Sequence, residues 1–375
     1  MEDSPFHTTD RTRAISTIEK KLVICGTASE LPNPYPRLLY RELRDRGYEV
    51  IDTKLGMLAR SRMPEGTEGV IHVHWFGFPF KMRSSIRAFL AGARYAFLLA
   101  VIRLRGWSPI VTVHNESAHD DRHPVLDRWL GHFVLGLLAR RVLVMSPYSI
   151  RTLGERISNR IRTRIRVVPH PTFEGWYGPP FDKTAARGHL GLRSDTPLLL
   201  FFGRVLPYKG VPELLQAFAE VDAPDAQLLI TGVCQDSELQ RHVTQLALAD
   251  ARVSTRLERV PDEEIPLLFS AADWIVLPYK RILNSGVALL AMGYRRPVIA
   301  PNLGSLPESL SVENEAAGIL YEPDSTHALN EALAEALQMS ESERRHVYAT
   351  TELVARRASI SRVMDLLVDV YEEMM

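Results

Sequence analysis

Two cations stand close together in Gly203-Arg204-Val205-Leu206-Pro207-Tyr208-Lys209-Gly210. Glycine lets a backbone approach a ligand, and a following helix start supplies free N–H groups and partial positive charge. With Arg204 and Lys209 added, the turn has the parts of a phosphate cradle. The plainer reading is a strand-to-helix loop with two solvated cations. Asn284-Ser285-Gly286 is a second candidate cradle, in which Ser285 caps a helix with or without an anion above it. A third group runs from His114 through His119, Asp120 and Asp121. Imidazole and carboxylate both take a proton near neutral pH, so His119 and Asp120 are candidate general bases toward a hydroxyl. Asp120 or Asp121 also suits the N-cap of the next helix. His72 and His74 project from one face of a strand at period two. They invite a zinc reading, but no neighbouring Cys or carboxylate completes a ligand set.

These groups need elements that hold them. Leu198-Leu199-Leu200 before the first turn is short, apolar and suited to a buried parallel strand. After the turn, Pro212 and Glu213 fit a first helical turn, and Leu214, Leu215 and Phe218 share one face. The same strand–turn–helix alternation recurs along the chain. Residues 21–26, 69–75, 109–115, 141–145 and 165–171 read as strands before a Gly/Pro-rich linker at 175–180. Residues 227–232, 252–257, 272–279 and 296–304 read as strands after it. The class is therefore α/β, and ligands of open α/β sheets bind outside the carboxyl ends of the strands. A helix is expected over 37–46, stopped by Gly47, and helical pattern fills 340–375.

A chain of 375 residues has room for two such domains. Its formal net charge of +0 gives no signature of nucleic-acid binding, but residues 1–180 carry +10 and residues 181–375 carry −10. Two cysteines, Cys25 and Cys234, suggest a reducing cytoplasm and no disulfide framework. No apolar signal core is expected near the N-terminus, and no stretch long and apolar enough to span a bilayer. Residues 81–105 mix apolar side chains with Lys81, Arg83, Arg87, Arg94, Arg103 and Arg105. They fit a buried crossover helix or an interfacial one on an anionic lipid surface.

The form Gly-Arg-x-x-Pro-Tyr-Lys-Gly at 203–210 resembles the donor-diphosphate motif of GT-B glycosyltransferases, especially family 4 and its bacterial relatives that build exopolysaccharides and glycolipids. His72-x-His74-Trp75, the loop from Thr112-Val113-His114-Asn115 to His119-Asp120, and Val260-Pro261 resemble further stretches of those enzymes. The resemblance implies two Rossmann-like domains with parallel sheets facing across a cleft. Expected boundaries are 1–178 for the acceptor domain, 179–350 for the nucleotide-sugar domain, and 351–375 for a last helix crossing back to the first domain. Gly203, Arg204, Lys209, Gly232, Val260, Asn284, Ser285 and Gly286 are expected to bind donor. Asn33, Tyr35, His74 and Trp75 border the acceptor side, although turn chemistry also accounts for Asn33 and Tyr35. His119 or Asp120 is the expected base, and His114 the expected contact to the donor sugar. The family's pair of glutamates is missing: counted back from Arg296-Pro297, those positions fall near Ile282 and Leu290, and neither is acidic.

The resemblance thus implies a metal-independent, cofactor-free hexosyltransferase using a nucleotide-sugar such as GDP-mannose or a UDP-sugar. The expected acceptor is a saccharide or lipid-linked saccharide, and the expected location is cytoplasmic, peripheral at the inner face of the plasma membrane. Without the glutamates, inversion by a His/Asp base is the leading mechanism. The alternatives are a retaining transferase, a nucleotide-sugar epimerase and an inactive binding scaffold.

Overall fold

The computed structural model describes residues 22–26, 33–60, 69–74, 84–114, 123–154 and 159–374. The first domain holds strands β1 (Leu22–Gly26), β2 (Glu49–Thr53), β3 (Gly69–His74), β4 (Ser108–Thr112), β5 (Arg141–Val144) and β6 (Ile165–Val167). All pair in parallel in the order β2-β1-β3-β4-β5-β6. Its helices are α1 (Pro34–Asp45), α2 (Leu55–Leu58), α3 (Ser85–Leu104), α4 (Pro124–Phe133), α5 (Pro147–Gly154) and α6 (Asn159–Arg162). Parallel strands covered by helices must be apolar on both faces, and β3 and β4 are buried at every position.

The second domain begins with α7 (Lys183–His189), β7 (Leu198–Phe202), α8 (Val211–Ala219), β8 (Gln227–Thr231), α9 (Ser237–Leu248) and β9 (Val253–Arg256). It continues with α10 (Ile265–Ala271), β10 (Trp274–Val276), α11 (Gly286–Gly293), β11 (Val298–Pro301) and α12 (Leu306–Leu310). The short pair β12 (Ser311–Val312) and β13 (Glu315–Ala316) follows, then β14 (Gly318–Tyr321) and α13 (Thr326–Gln338). Its parallel order is β14-β11-β10-β7-β8-β9. The order reverses between β7 and β10, which brings the loops after these two strands to one crevice. Arg187, 1% exposed, ties α7 to this sheet through Asp273 and the carbonyls of Ala271, Ser194 and Thr196.

Two helices end the chain, α14 (Glu341–Arg357) and α15 (Ile360–Glu372). Residue 350 falls inside α14, so the expected boundary there cuts a continuous helix; the break comes at Ala358 and Ser359. Thr172 N donates to Ala358 O at 2.8 Å, so the forward and return crossovers run side by side. α15 then lies on the first domain. Arg46 pairs with Asp365, Arg141 and Arg166 pair with Glu373, and buried Tyr371 reaches β3.

Strands β2 and β14 were not among those expected, and two helices also differ from expectation. α1 starts at Pro34 instead of residue 37, because Asn33 caps it by accepting from Tyr35 N and proline is tolerated in a first turn. α3 is 20 residues long and apolar enough to cross a bilayer by length and composition alone, where no such stretch was expected. Its arginines are spread thinly enough that an apolar window survives between them. The helix is two-faced: Ala88, Gly92, Ala96, Leu99 and Ile102 are buried, while Ile86, Phe89, Leu90, Phe97 and Leu104 are exposed.

Candidate active site

β7 ends in a backbone arrangement that only glycine permits. Gly203 adopts φ 121° and donates to Thr231 O at 3.0 Å. Gly232, at φ 133°, lies so close that a Cβ there would collide with the Gly203 carbonyl. A single 3-10 turn, Pro207–Lys209, then leads to Gly210, whose left-handed φ of 69° starts α8. Arg204 is exposed and reaches Gln235 Oε1 at 3.4 Å. Lys209 is half-buried, its ammonium 4.0 Å from the ring centre of Tyr279. Among the described residues neither cation pairs with a carboxylate. Two uncompensated charges therefore stand beside a helix N-terminus at the topological switch point, an arrangement suited to a diphosphate.

The loop after β10 completes this side. Ser285 caps α11 by accepting from Ala288 N at 3.2 Å, and Gly286 is the first helical residue. The Asn284 amide donates to His114 O at 3.1 Å and accepts from Ser305 Oγ at 3.0 Å. It thus bridges the two domains. Val260 is buried at 8% exposed, leaving its backbone as the part a base could meet. Ile282 is half-buried and Leu290 is in the core.

Across the cleft, three histidines gather around Tyr35 and a fourth, His72, packs on one of them. His72 rests on His74 with ring centres 4.1 Å apart, and His74 Nδ1 meets His114 Nε2 at 3.2 Å. Tyr35 contacts His74, His114 and His170 with ring centres 5.6, 5.2 and 4.7 Å away. His72 is bonded at both ring nitrogens, to Tyr371 Oη at 2.7 Å and Thr112 Oγ1 at 2.6 Å, so one contact donates and the other accepts. Burial disfavours the imidazolium throughout. It pushes His72 down to about 3 and His170 to about 4, and holds His74 and His114 well below the usual range. All four are neutral near pH 7.

The expected site residues therefore divide. Gly203, Arg204, Lys209, Gly232, Ser285 and Gly286 converge on the β7–β10 crevice. His74 and Tyr35, expected at the acceptor surface, are 6% and 3% exposed and pack on one another, because the histidine cluster needs their rings as cover. Asn33 serves as a helix cap. His119, Asp120 and Trp75 lie outside the described residues. His170, Tyr371 and Tyr279 were not named as site residues from the sequence, and Thr112 was read only as part of the Thr112-Val113-His114-Asn115 stretch. A cavity of about 670 Å³ opens between the domains beside the cluster, lined by Ser146, Val167, His170, Leu289, Glu308 and Asn314 among others. Arg151 and the Tyr148 N–H both bind Glu308 across this junction.

Residues 182–352 match the family described as glycosyl transferases group 1. A GDP-mannose:glycolipid 4-beta-D-mannosyltransferase of Xanthomonas campestris pv. campestris is 30% identical over 281 residues, 72% of this chain and 70% of that protein. A D-inositol 3-phosphate glycosyltransferase of Segniliparus rotundus is 32% identical over 164 residues, 42% of this chain and 36% of its own. In structure, sucrose-phosphate synthase from Thermosynechococcus elongatus superposes with a TM-score of 0.73 at 20% identity, covering 95% of this chain and 99% of that one. HepE of Anabaena in complex with UDP and glucose gives 0.70 at 16% identity, over 94% and 100% of the two chains. The shared fold is the two-domain GT-B architecture. By this similarity the chain belongs to the group 1 glycosyl transferases.

Proposed function

We propose that this enzyme moves mannose from GDP-mannose to a saccharide carried on a lipid, with inversion at the anomeric carbon and without a metal ion. The observation that carries the reading is the pair of uncompensated cations, Arg204 and Lys209, at the β7–α8 turn. As the acceptor oxygen attacks the anomeric carbon, its proton passes to a base and the bond to the diphosphate breaks. The negative charge that develops on the departing GDP is met by the guanidinium, the ammonium and the α8 and α11 N-termini. His119 or Asp120 is the proposed base, with His114 directed to the donor sugar. Two features favour inversion. Apolar Ile282 and Leu290 remove the carboxylates of a retaining site, and the Xanthomonas relative is named for forming a β-mannoside. Mannose is α-linked in GDP-mannose, so a β product requires inversion.

A lipid-borne acceptor suits work at the inner face of the plasma membrane, and the first domain offers a surface for it. On α3, Phe89, Leu90 and Phe97 are exposed; on the adjoining α4, Val125 and Trp129 are exposed at 67% and 76%. Exposed Arg87, Arg94, Arg103 and Arg105 edge this apolar area, a composition suited to an anionic leaflet. The test uses purified full chain, radiolabelled GDP-mannose and extracted glycolipid acceptor, with the product anomer read by mannosidase digestion. A β-mannosylated lipid is expected. An α product, or donor turnover without acceptor, contradicts the reading. Sedimentation with vesicles containing anionic lipid, but not with zwitterionic ones, tests the surface.

A further inference from the structure

We infer that Tyr279 is a positioning residue for the donor site, an aromatic platform that holds the Lys209 ammonium ready for the diphosphate. This rests on the donor-site reading above and adds a residue outside the family motif. The Lys209 ammonium lies 4.0 Å from the Tyr279 ring centre and 5.9 Å from that of Tyr208, so Tyr279 is its close partner. Tyr279 is 2% exposed, and its hydroxyl has no hydrogen-bond partner among the described residues. Hydrogen bonding therefore does not account for the residue there; an aromatic ring face does.

The surrounding backbone makes the contact obligatory. Lys280 N donates to Tyr208 O at 2.9 Å, and a Cβ on Gly210 would strike the Pro278 carbonyl. Residues 278–280 are thus pressed onto residues 208–210. The two neighbouring lysines are treated differently. Lys280 pairs with Glu213 at 2.6 Å, whereas Lys209 is given an aromatic face and no carboxylate. A ring attracts a cation without neutralising it, so the ammonium is fixed in place yet keeps its full charge for an anion. A carboxylate in the same position would have to be displaced when the diphosphate enters.

The test is a double-mutant cycle read by calorimetric titration of GDP, and of UDP in parallel, into the full-length wild type, Tyr279→Phe, Tyr279→Leu, Lys209→Ala and Lys209→Ala/Tyr279→Leu. Thermal midpoints confirm that each variant is folded. Tyr279→Leu is expected to weaken nucleoside-diphosphate binding about tenfold, the scale of a partly desolvated cation–π contact. Tyr279→Phe, which keeps the ring, should stay within about twofold of wild type. In the Lys209→Ala background, Tyr279→Leu should have no further effect, because the group it positions is gone. A merely structural tyrosine gives additive losses in the double variant, and that outcome overturns the inference, as does Tyr279→Phe failing as badly as Tyr279→Leu. If Lys209→Ala alone leaves binding unchanged, or if the wild type binds neither GDP nor UDP, the donor-site reading falls first and takes this inference with it.

Discussion

Acidification should loosen the first domain through its buried histidines, and His72 shows by how much. It is 1% exposed and bonded at both nitrogens, and burial pushes it down to about 3 from an unfolded value near 6.5. Above pH 6.5 the ring is neutral in both states, and its contribution is fully present. Below that pH the unfolded chain takes up a proton that the folded chain refuses, so stability falls by about 1.4 kcal/mol per pH unit for this group. The loss continues until the folded value near 3 is reached. Between pH 6.5 and 5 it amounts to about 2 kcal/mol, and His170, held at about 4, adds a similar amount in the same direction. His74 and His114 push the same way. Domains are stable by roughly 5–15 kcal/mol, so the sum is a large fraction of the whole. His72→Gln keeps a donor and an acceptor but does not titrate. Urea denaturation followed by circular dichroism at pH 7.5, 6.5, 5.5 and 5 should therefore show wild type losing about 2 kcal/mol more than His72→Gln across that range. Equal losses in the two proteins would refute the neutral, buried imidazole at the centre of the cluster.

Gly232→Ala should cost about 1–3 kcal/mol from its backbone conformation alone, with the clash against Gly203 O added. It should also weaken nucleoside-diphosphate binding by displacing the β7 turn; a lowered thermal midpoint with weaker GDP titration is the expected pair of results. Asp273→Ala should destabilise the second domain by about 3–5 kcal/mol, because Arg187 is left buried and unpaired. Lys183→Ala removes the more exposed partner of the same carboxylate and should cost less than about 1 kcal/mol, checked by the same thermal melts.

The β7–α8 turn was legible because its determinants are local. A short apolar strand, glycines at the tight turn and a proline-started helix all sit within about twenty consecutive residues, and the observed β7, 3-10 turn and α8 follow that order. The histidine cluster was not, because its partners are remote in sequence. His72 and Tyr371 are 299 positions apart, and His74 meets His114 across 40. A His-x-His pattern announces two rings on one face, but not the four-ring cluster that buries them. Tyr279 was hidden for a similar reason: Leu277-Pro278-Tyr279 reads as a strand end, and only the parallel pairing of β10 with β7 sets it under Lys209. α3 carried both of its readings at once, since one face is core and the other is exposed.

Steady-state transfer from GDP-mannose by Arg204→Ala, Lys209→Ala and the double variant bears most directly on the account, provided each melts like wild type. If the two cations stabilise the departing diphosphate, kcat/KM should fall about 10²–10³-fold for a single replacement and further for both. A folded double variant that transfers mannose at the original rate contradicts it.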